Sequence, residues 1–401
     1  MTKKVVVTGL GSISPLGIDV SGFWQSLLSG RSGISRLRGF SELHLKIPFA
    51  AQVPDFNPEH YFSSSEIPLL DRHSQFALIA AREAINDSGL SPEALQAGAA
   101  VIGTGCGGKE TDERSYQILY KENKSRLHPL TIPRGMPSAA ASLVSIGCGL
   151  RGPVFSVSSA CASANHAIIQ AVLLIRSGLV DVAVAGGTDA PFTFGLLKAW
   201  EALRIWSRDT CRPFSADRSG LVLGEGAGVV VLESEAHARS RSADIHAELS
   251  GCGMSSDAGH ITDPSAEGAA KAISMALKDA GLDPEDVDYV NAHGTATEAN
   301  DVTETRAIRL ALGKRADTVA VSSTKSMHGH ALGAAGAFEL IATILAIKNG
   351  IVPATMNFST PGVGCDLDYV PNQPRVMKVE TALSNSFAFG GLNAVIAVRA
   401  Y

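Results

Sequence analysis

A ten-residue phrase occurs twice in this chain, and it limits the fold more than any other feature. AINDSGLSPE (Ala84 to Glu93) and ALKDAGLDPE (Ala276 to Glu285) agree at six of ten positions: Ala, Asp, Gly, Leu, Pro and Glu. Each closes a helical pattern at a glycine, Gly89 or Gly281, and leads to a short β-rich run with a glycine turn behind it. The first run is Ala99 to Ile102 followed by GTGCGG; the second is Val287 to Asn291 followed by AHGTAT. The echo continues in order. LGEGAGVVVLE (Leu223 to Glu233) is matched by FGGLNAVIAVR (Phe389 to Arg399), and a helix ending IRSG at Gly178 by one ending IKNG at Gly350. A repeat on this scale predicts two similar α/β halves, residues 1–246 and 247–401. Apolar runs such as VAVAGG and VVVLE predict buried sheets covered by helices. The expected fold class is therefore α/β, a duplicated five-layer α-β-α-β-α stack with the reactive centre between the halves.

Composition narrows the class. With 401 residues, 45% hydrophobic and 18% charged, the chain can bury one large core or two fused ones. A formal charge of −5 without a long Lys/Arg run argues against nucleic acid or an anionic membrane surface as the main partner. No apolar run reaches about 18 residues, so no membrane-spanning helix is expected. In MTKKVVVTGLGSISPLG, Gly9 and Gly11 break the apolar run too early for a signal peptide. Val5 to Val7 read instead as a first strand leading into a glycine-rich turn. GLGSIS lacks the third glycine of a dinucleotide loop, and Pro15 and Gly17 interrupt the helix that such a loop needs. Residues 31–70 read as an irregular surface excursion. The six cysteines (Cys106, Cys148, Cys161, Cys211, Cys252 and Cys365) are scattered without a CxxC pair. They predict neither a disulfide framework nor a zinc site, and a reducing cytoplasm as the compartment.

One cysteine stands apart. In VFSVSSACASANHAIIQAVLLIRSG (Val154 to Gly178), a β-rich run gives way to small residues and then to helical spacing, with Cys161 at the junction. A thiol there lies near the positive end of the helix dipole, a setting that lowers its pKa toward a reactive thiolate. Position alone leaves a buried, inert thiol equally open. The second half carries three dense stretches: NAHGTATEANDVTE with His293, SSTKSMHGHALGAAGAFE with Lys325, His328, His330 and Glu339, and SNSFAFGGLNAV around Phe389. A single histidine at a strand end is more often structural than catalytic. Two of them on separate strand-to-helix junctions, with a cysteine on a third, point to chemistry, because α/β proteins react at the carboxyl ends of their strands.

In this order and spacing, TGLGSISPLG, SACASANHA, LGEGAG, NAHGTAT, STKSMHGHALGAAGA and NSFAFGG resemble the β-ketoacyl-[acyl-carrier-protein] synthases of the thiolase superfamily, closest to the type II condensing enzymes. The resemblance spans the whole chain. SACASANHAI, FGLLKAWEALR and CRPFSADRSGLVLGEGA look nearer to nodulation-type and specialised-lipid or polyene ketosynthases than to the housekeeping enzyme. It implies a thiolase-like fold and a decarboxylative Claisen condensation. Cys161 would take an acyl group from a carrier-protein thioester, and His293 and His330 would hold the thioester oxygen of malonyl-carrier as CO₂ leaves. It further implies an oxyanion hole at the backbone N–H groups of Cys161 and Phe389, and a gate at Phe389. Lys325 would pair with Glu339 to organise the site, and Thr295 and Thr297 would bind the carrier's phosphopantetheine arm. No metal or organic cofactor is implied.

Three positions depart from the family pattern. Cys106 stands where a bulkier aliphatic residue is usual at the mouth of the acyl pocket, Ala388 where glycine is usual beside the gate, and Leu392 where threonine is usual. The first implies a deeper pocket and longer or unsaturated acyl chains; the second implies a stiffer gate. His166 lies more than a turn beyond the thiol and reads as a packing or interface residue, and His328 as structural. The partners implied are an acyl carrier protein and a second subunit, identical or a cysteine-less relative. A mainly structural subunit is the alternative function. A thiolase reading would want a second cysteine in the last glycine-rich loop, which NSFAFGG lacks.

Overall fold

The computed structural model describes residues 3–40 and 45–401 of the chain. In the first half, strands β1 (Val5–Ile13), β2 (Ala99–Gly103), β3 (Val154–Val157), β4 (Val182–Asp189) and β5 (Gly226–Ser234) are joined by helices α1 (Arg72–Ser88) and α2 (Ser163–Arg176). In the second half, β6 (Ala247–Ser256), β7 (Tyr289–Asn291), β8 (Ala320–Ser322), β9 (Thr381–Ala388) and β10 (Leu392–Arg399) accompany α3 (Ala266–Ala280), α4 (Glu298–Leu312) and α5 (Ala335–Asn349). The strands line up as β3-β2-β4-β5-β1 and then β6-β10-β9-β7-β8. Adding five to each strand number of the first half gives the second, mirrored in order.

Strand directions repeat as well. β1–β5 and β5–β4 are antiparallel, and β4–β2 and β2–β3 parallel, as are their counterparts β6–β10, β10–β9, β9–β7 and β7–β8 in turn. The halves meet where β1 pairs antiparallel with β6, Val6 opposite Glu248 and Val7 opposite Ala247. Helices α2 and α5 pack on each other and on strands of both halves, while α1 covers β1, β5 and β4 and α3 covers β6 and β10 from outside. This is the thiolase-like five-layer stack that the repeat predicts.

The central layer explains one departure from the sequence reading. Leu332–Asn349 is long and apolar enough to cross a membrane by length and composition, contrary to the expectation that no run would be. Yet 89% of it is buried within the protein, and every residue of α5 from Ala335 to Ala346 is enclosed. A helix packed on all sides has no face for polar residues, so it reads as apolar all round. Each large side chain enclosed there contributes roughly 1.5–3 kcal/mol. Gly350, at φ 63°, ends it.

The amino-terminal glycines also read differently in three dimensions. β1 does not stop at Val7 but runs through Gly9 and Gly11 to Ile13. A Cβ on Gly11 would lie 1.9 Å from the Ala80 carbonyl oxygen of α1, and one on Gly9 would lie 2.1 Å from that of Ala84. The second half repeats the arrangement: Gly253 faces Ala272 O at 1.9 Å and Gly251 faces Ala276 O at 2.2 Å. GxG on a strand opposite AxxxA on a helix is thus a packing device, not a turn, and brings sheet and outer helix into backbone contact.

The 31–70 stretch is only partly superficial. A ribbon pairs Ser35–Arg36 with Phe49–Ala50, and Ile47, Ala50, Ala51 and Val53 are buried. Residues 41–44 of that stretch lie outside the described residues.

Candidate active site

The thiol sits on a strained corner. After β3, the chain makes one 3₁₀ turn, Ala160–Ala162, before α2 begins at Ser163. Ala160 takes φ 49°, in the left-handed region where any Cβ is strained. Ser163 pins the corner: its hydroxyl accepts from Ser159 N (2.9 Å) and donates to Ala160 O (2.6 Å). Cys161 is left 7% exposed, facing the second half.

His330 arrives from that half. Its backbone N–H donates to Val222 O (2.7 Å) and its carbonyl accepts from Gly224 N (2.9 Å), which clamps the residue between the halves. Its Nε2 lies 3.0 Å from Cys161 Sγ. His293 follows β7, and its backbone N–H donates to Glu304 Oε1 (2.8 Å). The two imidazoles stand nearly perpendicular, 86°, with centroids 5.3 Å apart. Behind them Lys325, fully buried, donates to Glu339 Oε1 and to the His293 carbonyl (2.6 Å), and its Nζ lies 3.4 Å from His293 Nδ1. An ammonium facing Nδ1 fixes that nitrogen as the acceptor. Nε2–H of His293 is then the donor presented to the cavity.

The electrostatics correct one expectation. Burial pushes the Cys161 thiol up to about 12, against the pull of Lys325. The helix-end effect is outweighed by desolvation, so the resting sulfur keeps its proton rather than standing as a thiolate. Burial, reinforced by the Lys325 charge, also holds His293 and His330 well below the usual histidine range, so both are neutral. A neutral imidazole 3.0 Å from a thiol can take its proton as the sulfur attacks. A neutral imidazole is equally the form that donates one N–H to a developing enolate.

These groups open on a cavity of about 280 Å³, lined by Cys161, His293, His330, Thr295, Thr297 and Phe389 among others. The hydroxyls of Thr295 and Thr297 lie 2.9 Å apart. Phe389 is about one-third exposed and stacks on Trp200, centroids 6.2 Å apart, at the mouth. Beside it, Ala388 closes the β9–β10 hairpin opposite Leu392 with ordinary backbone angles, and the positive φ values fall to Gly390 (82°) and Gly391 (68°). The alanine therefore costs this hairpin turn little freedom.

Cys106 does not line the cavity. It lies behind it, against an apolar cluster that includes Leu197, Trp206, Leu221 and Leu332. His166 bonds to Ser159 Oγ (2.8 Å), and His328 is satisfied by Gly329 O (2.8 Å) and Thr324 Oγ1 (2.9 Å). Both fit the structural roles read from sequence.

The sulfur and a nitrogen of each histidine lie within 4.8 Å of one another, a grouping that sequence spacing could not show. The same three atoms have the chemistry to ligate a metal ion. The Lys325 ammonium against His293 opposes a dication at that point.

Sequence reasoning missed two carboxylates that hold the loops. Glu304 accepts from His293 N and from Gly294 N (2.7 Å), and Asp301 from Phe214 N (2.6 Å) and Ala296 N (3.1 Å). Both are buried on the inner face of α4 with Thr305 and Ile308. Acids at i and i+3 on a helix's apolar face were the available signal.

Comparisons with known proteins agree on one family. Residues 2–238 match the family described as beta-ketoacyl synthase, N-terminal domain, and residues 246–359 match its C-terminal domain. Nodulation protein E of Rhizobium sp. is 50% identical over 402 residues, covering all of both chains. The 3-oxoacyl-[acyl-carrier-protein] synthase 2 of Synechocystis sp. is 43% identical, covering 100% of this chain and 98% of its own. Among solved structures, the ishigamide ketosynthase/chain length factor superposes with a TM-score of 0.95 at 36% identity, each chain covered completely.

Proposed function

The chain belongs to the β-ketoacyl synthase family and is a condensing acyltransferase; from that premise we propose which residues perform the reaction and with what partners. The observation that carries the assignment is the 3.0 Å approach of His330 Nε2 to Cys161 Sγ inside a cavity that His293 also lines.

In the first step Cys161 Sγ attacks the thioester of an acyl-carrier. Its proton passes to His330 Nε2 and stays there as the donor for the next step, while the departing carrier thiolate is protonated by solvent, so that one S–C bond forms and one breaks. The oxyanion is held by backbone N–H groups of Cys161 and Phe389. Malonyl-carrier then enters, its phosphopantetheine arm held by Thr295 and Thr297. The bond to its carboxylate breaks, CO₂ leaves, and the electron pair moves into an enolate whose oxygen accepts from Nε2–H of His293 and of His330. The enolate carbon attacks the acyl carbon and the Cys161 thiolate leaves, to be reprotonated before the next turn. Lys325 and Glu339 keep His293 in the donor tautomer. No step asks for a metal or organic cofactor.

The finer reading is a specialised-lipid or polyene ketosynthase that works in the cytoplasm as a dimer, with itself or with a cysteine-less relative that sets chain length. The likeness to a ketosynthase/chain length factor supports the second arrangement. β3, which ends the sheet with Phe155 exposed, supports a dimer of either kind. The six free thiols support a reducing compartment. A division at residues 246 and 247 is proposed for the two halves, since β6 opens at Ala247.

Intact-mass analysis after incubation with acyl- and malonyl-carrier tests the reading. An acyl adduct on Cys161, a 3-oxoacyl product, and loss of both in Cys161→Ala are expected. An adduct on another cysteine, with activity intact in Cys161→Ala, would overturn it. Mass in solution, alone and with a cysteine-less relative, decides the partner.

A further inference from the structure

The duplication gives the nucleophile a twin. Ala160 and Leu332 share φ 49°, and each opens a single 3₁₀ turn, Ala160–Ala162 or Leu332–Ala334, that leads directly into a central helix, α2 or α5. The residue after the strained one is Cys161 in the first half and Gly333 in the second. Gly333 N is therefore the counterpart of Cys161 N, the donor proposed above for the oxyanion.

That counterpart is already occupied by a carboxylate of the chain itself. Asp189, at the end of β4 and fully buried, accepts at Oδ2 from Gly333 N (2.6 Å) and Gly105 N (2.8 Å). Its Oδ1 accepts from Cys106 N (2.9 Å) and Thr104 Oγ1 (2.8 Å). Four donors and no basic side chain hold it, the geometry of an anion site made by converging backbone N–H groups. Burial pushes the carboxyl up, but all four partners donate, so the site is built for the ionised form. The two loops that it ties are so close that a Cβ on Gly333 would lie 2.4 Å from Gly105 N.

The loops have different tasks. One carries Cys106, which packs against the apolar cluster containing Leu332 behind the cavity. The other carries His330, three residues before Gly333. Resting on the assignment of His330 to decarboxylation, we propose that Asp189 is a positioning residue: it fills the anion site twinned with the oxyanion hole, holds His330 at its distance from Cys161, and couples movement of the Cys106 loop under an acyl chain to the histidine.

Asp189→Asn tests this, because the amide is isosteric but sets an NH₂ against N–H donors. Acyl-Cys161 formation by intact mass and CO₂ release from malonyl-carrier are measured separately, for short and long acyl chains. Asp189→Asn should load Cys161 more slowly, since His330 takes the thiol proton, release CO₂ about tenfold or more slowly, and lose most of the dependence of that rate on acyl length. Asp189→Ala should behave alike and recover on addition of formate, which fits the vacated donors. Thr104→Val, which removes one donor of four, should fall between and supplies the test if the Asp189 variants do not fold. Wild-type CO₂ release with unchanged length dependence would overturn the proposal. So would a fall in loading and CO₂ release without formate rescue and with the length dependence unchanged, which marks a merely structural role. A wild-type protein that neither loads nor decarboxylates would sink the assignment of function instead.

Discussion

Replacing Lys325 by methionine separates two tasks that the wild-type residue performs together. Lys325 and Glu339 are both fully buried, and the ammonium also bonds the His293 carbonyl at 2.6 Å. Removing one partner of such a pair leaves an uncompensated charge and costs about 3–5 kcal/mol. At about 1.4 kcal/mol per decade, the folding equilibrium shifts by roughly two to four decades. The penalty falls on the carboxylate form alone. Burial already pushes the Glu339 carboxyl up despite Lys325, and without the lysine it rises further. A group whose folded pKa is raised contributes its stability below its unfolded value, about 4.3, and loses it as pH climbs through the folded value. Urea denaturation of Lys325→Met should therefore show a small loss at pH 5 and a larger one at pH 8, because the difference grows only once the wild-type carboxyl, raised to about 7, has titrated. Adding Glu339→Gln should restore most of the stability at pH 8. It should not restore CO₂ release, because nothing then holds His293 Nδ1 as acceptor, and loss of one such donor costs about 10²–10³ in rate. A stability loss equal at pH 5 and pH 8 would refute the buried-charge argument. Full CO₂ release from the double variant would refute the tautomer argument.

His293→Ala and His330→Ala should each cut CO₂ release by about 10²–10³. Since the thiol rests protonated, His330→Ala should also slow acyl loading, which His293→Ala should spare; stopped assays on malonyl- and acyl-carrier read the two steps. Cys106→Phe, which crowds the cluster behind the cavity-lining Leu221, should shift preference toward short acyl chains while CO₂ release stays largely intact, seen by competition between carriers of different length; an unchanged profile would remove Cys106 from any role in specificity. Gly11→Ala puts a methyl into the Ala80 carbonyl and should destabilise by at least about 1–3 kcal/mol in chemical denaturation, and its twin Gly253→Ala by a similar amount.

The repeat made the architecture legible because each half had to solve the same packing problem with similar residues. The helix at Arg72–Ser88 follows from its apolar spacing and its closing glycine alone. The candidate site residues stood out because small residues and histidines clustered at strand ends, where apolar packing would not have put them. What escaped was anything that depends on distance across the chain. Gly9 and Gly11 look like a turn until α1 is laid against them. The Cys161 thiol looks activated by its helix until its burial is known, and desolvation then wins. Asp189 ends an ordinary apolar run, and nothing in VAVAGGTD says that four donors from both halves converge on its last residue. The apolar content of α5 says only that water is absent, whether protein or lipid takes its place.

β1 and β6 are stitched edge to edge, and α2 and α5 each touch both half-sheets. The molecule therefore lacks the joint on which many enzymes swing open. Its sulfur and two imidazoles are fixed to a single frame and line one cavity, so the cargo must do the travelling. Under such a rule the enzyme measures reach. A substrate qualifies by hanging from a thread long enough to reach the sulfur.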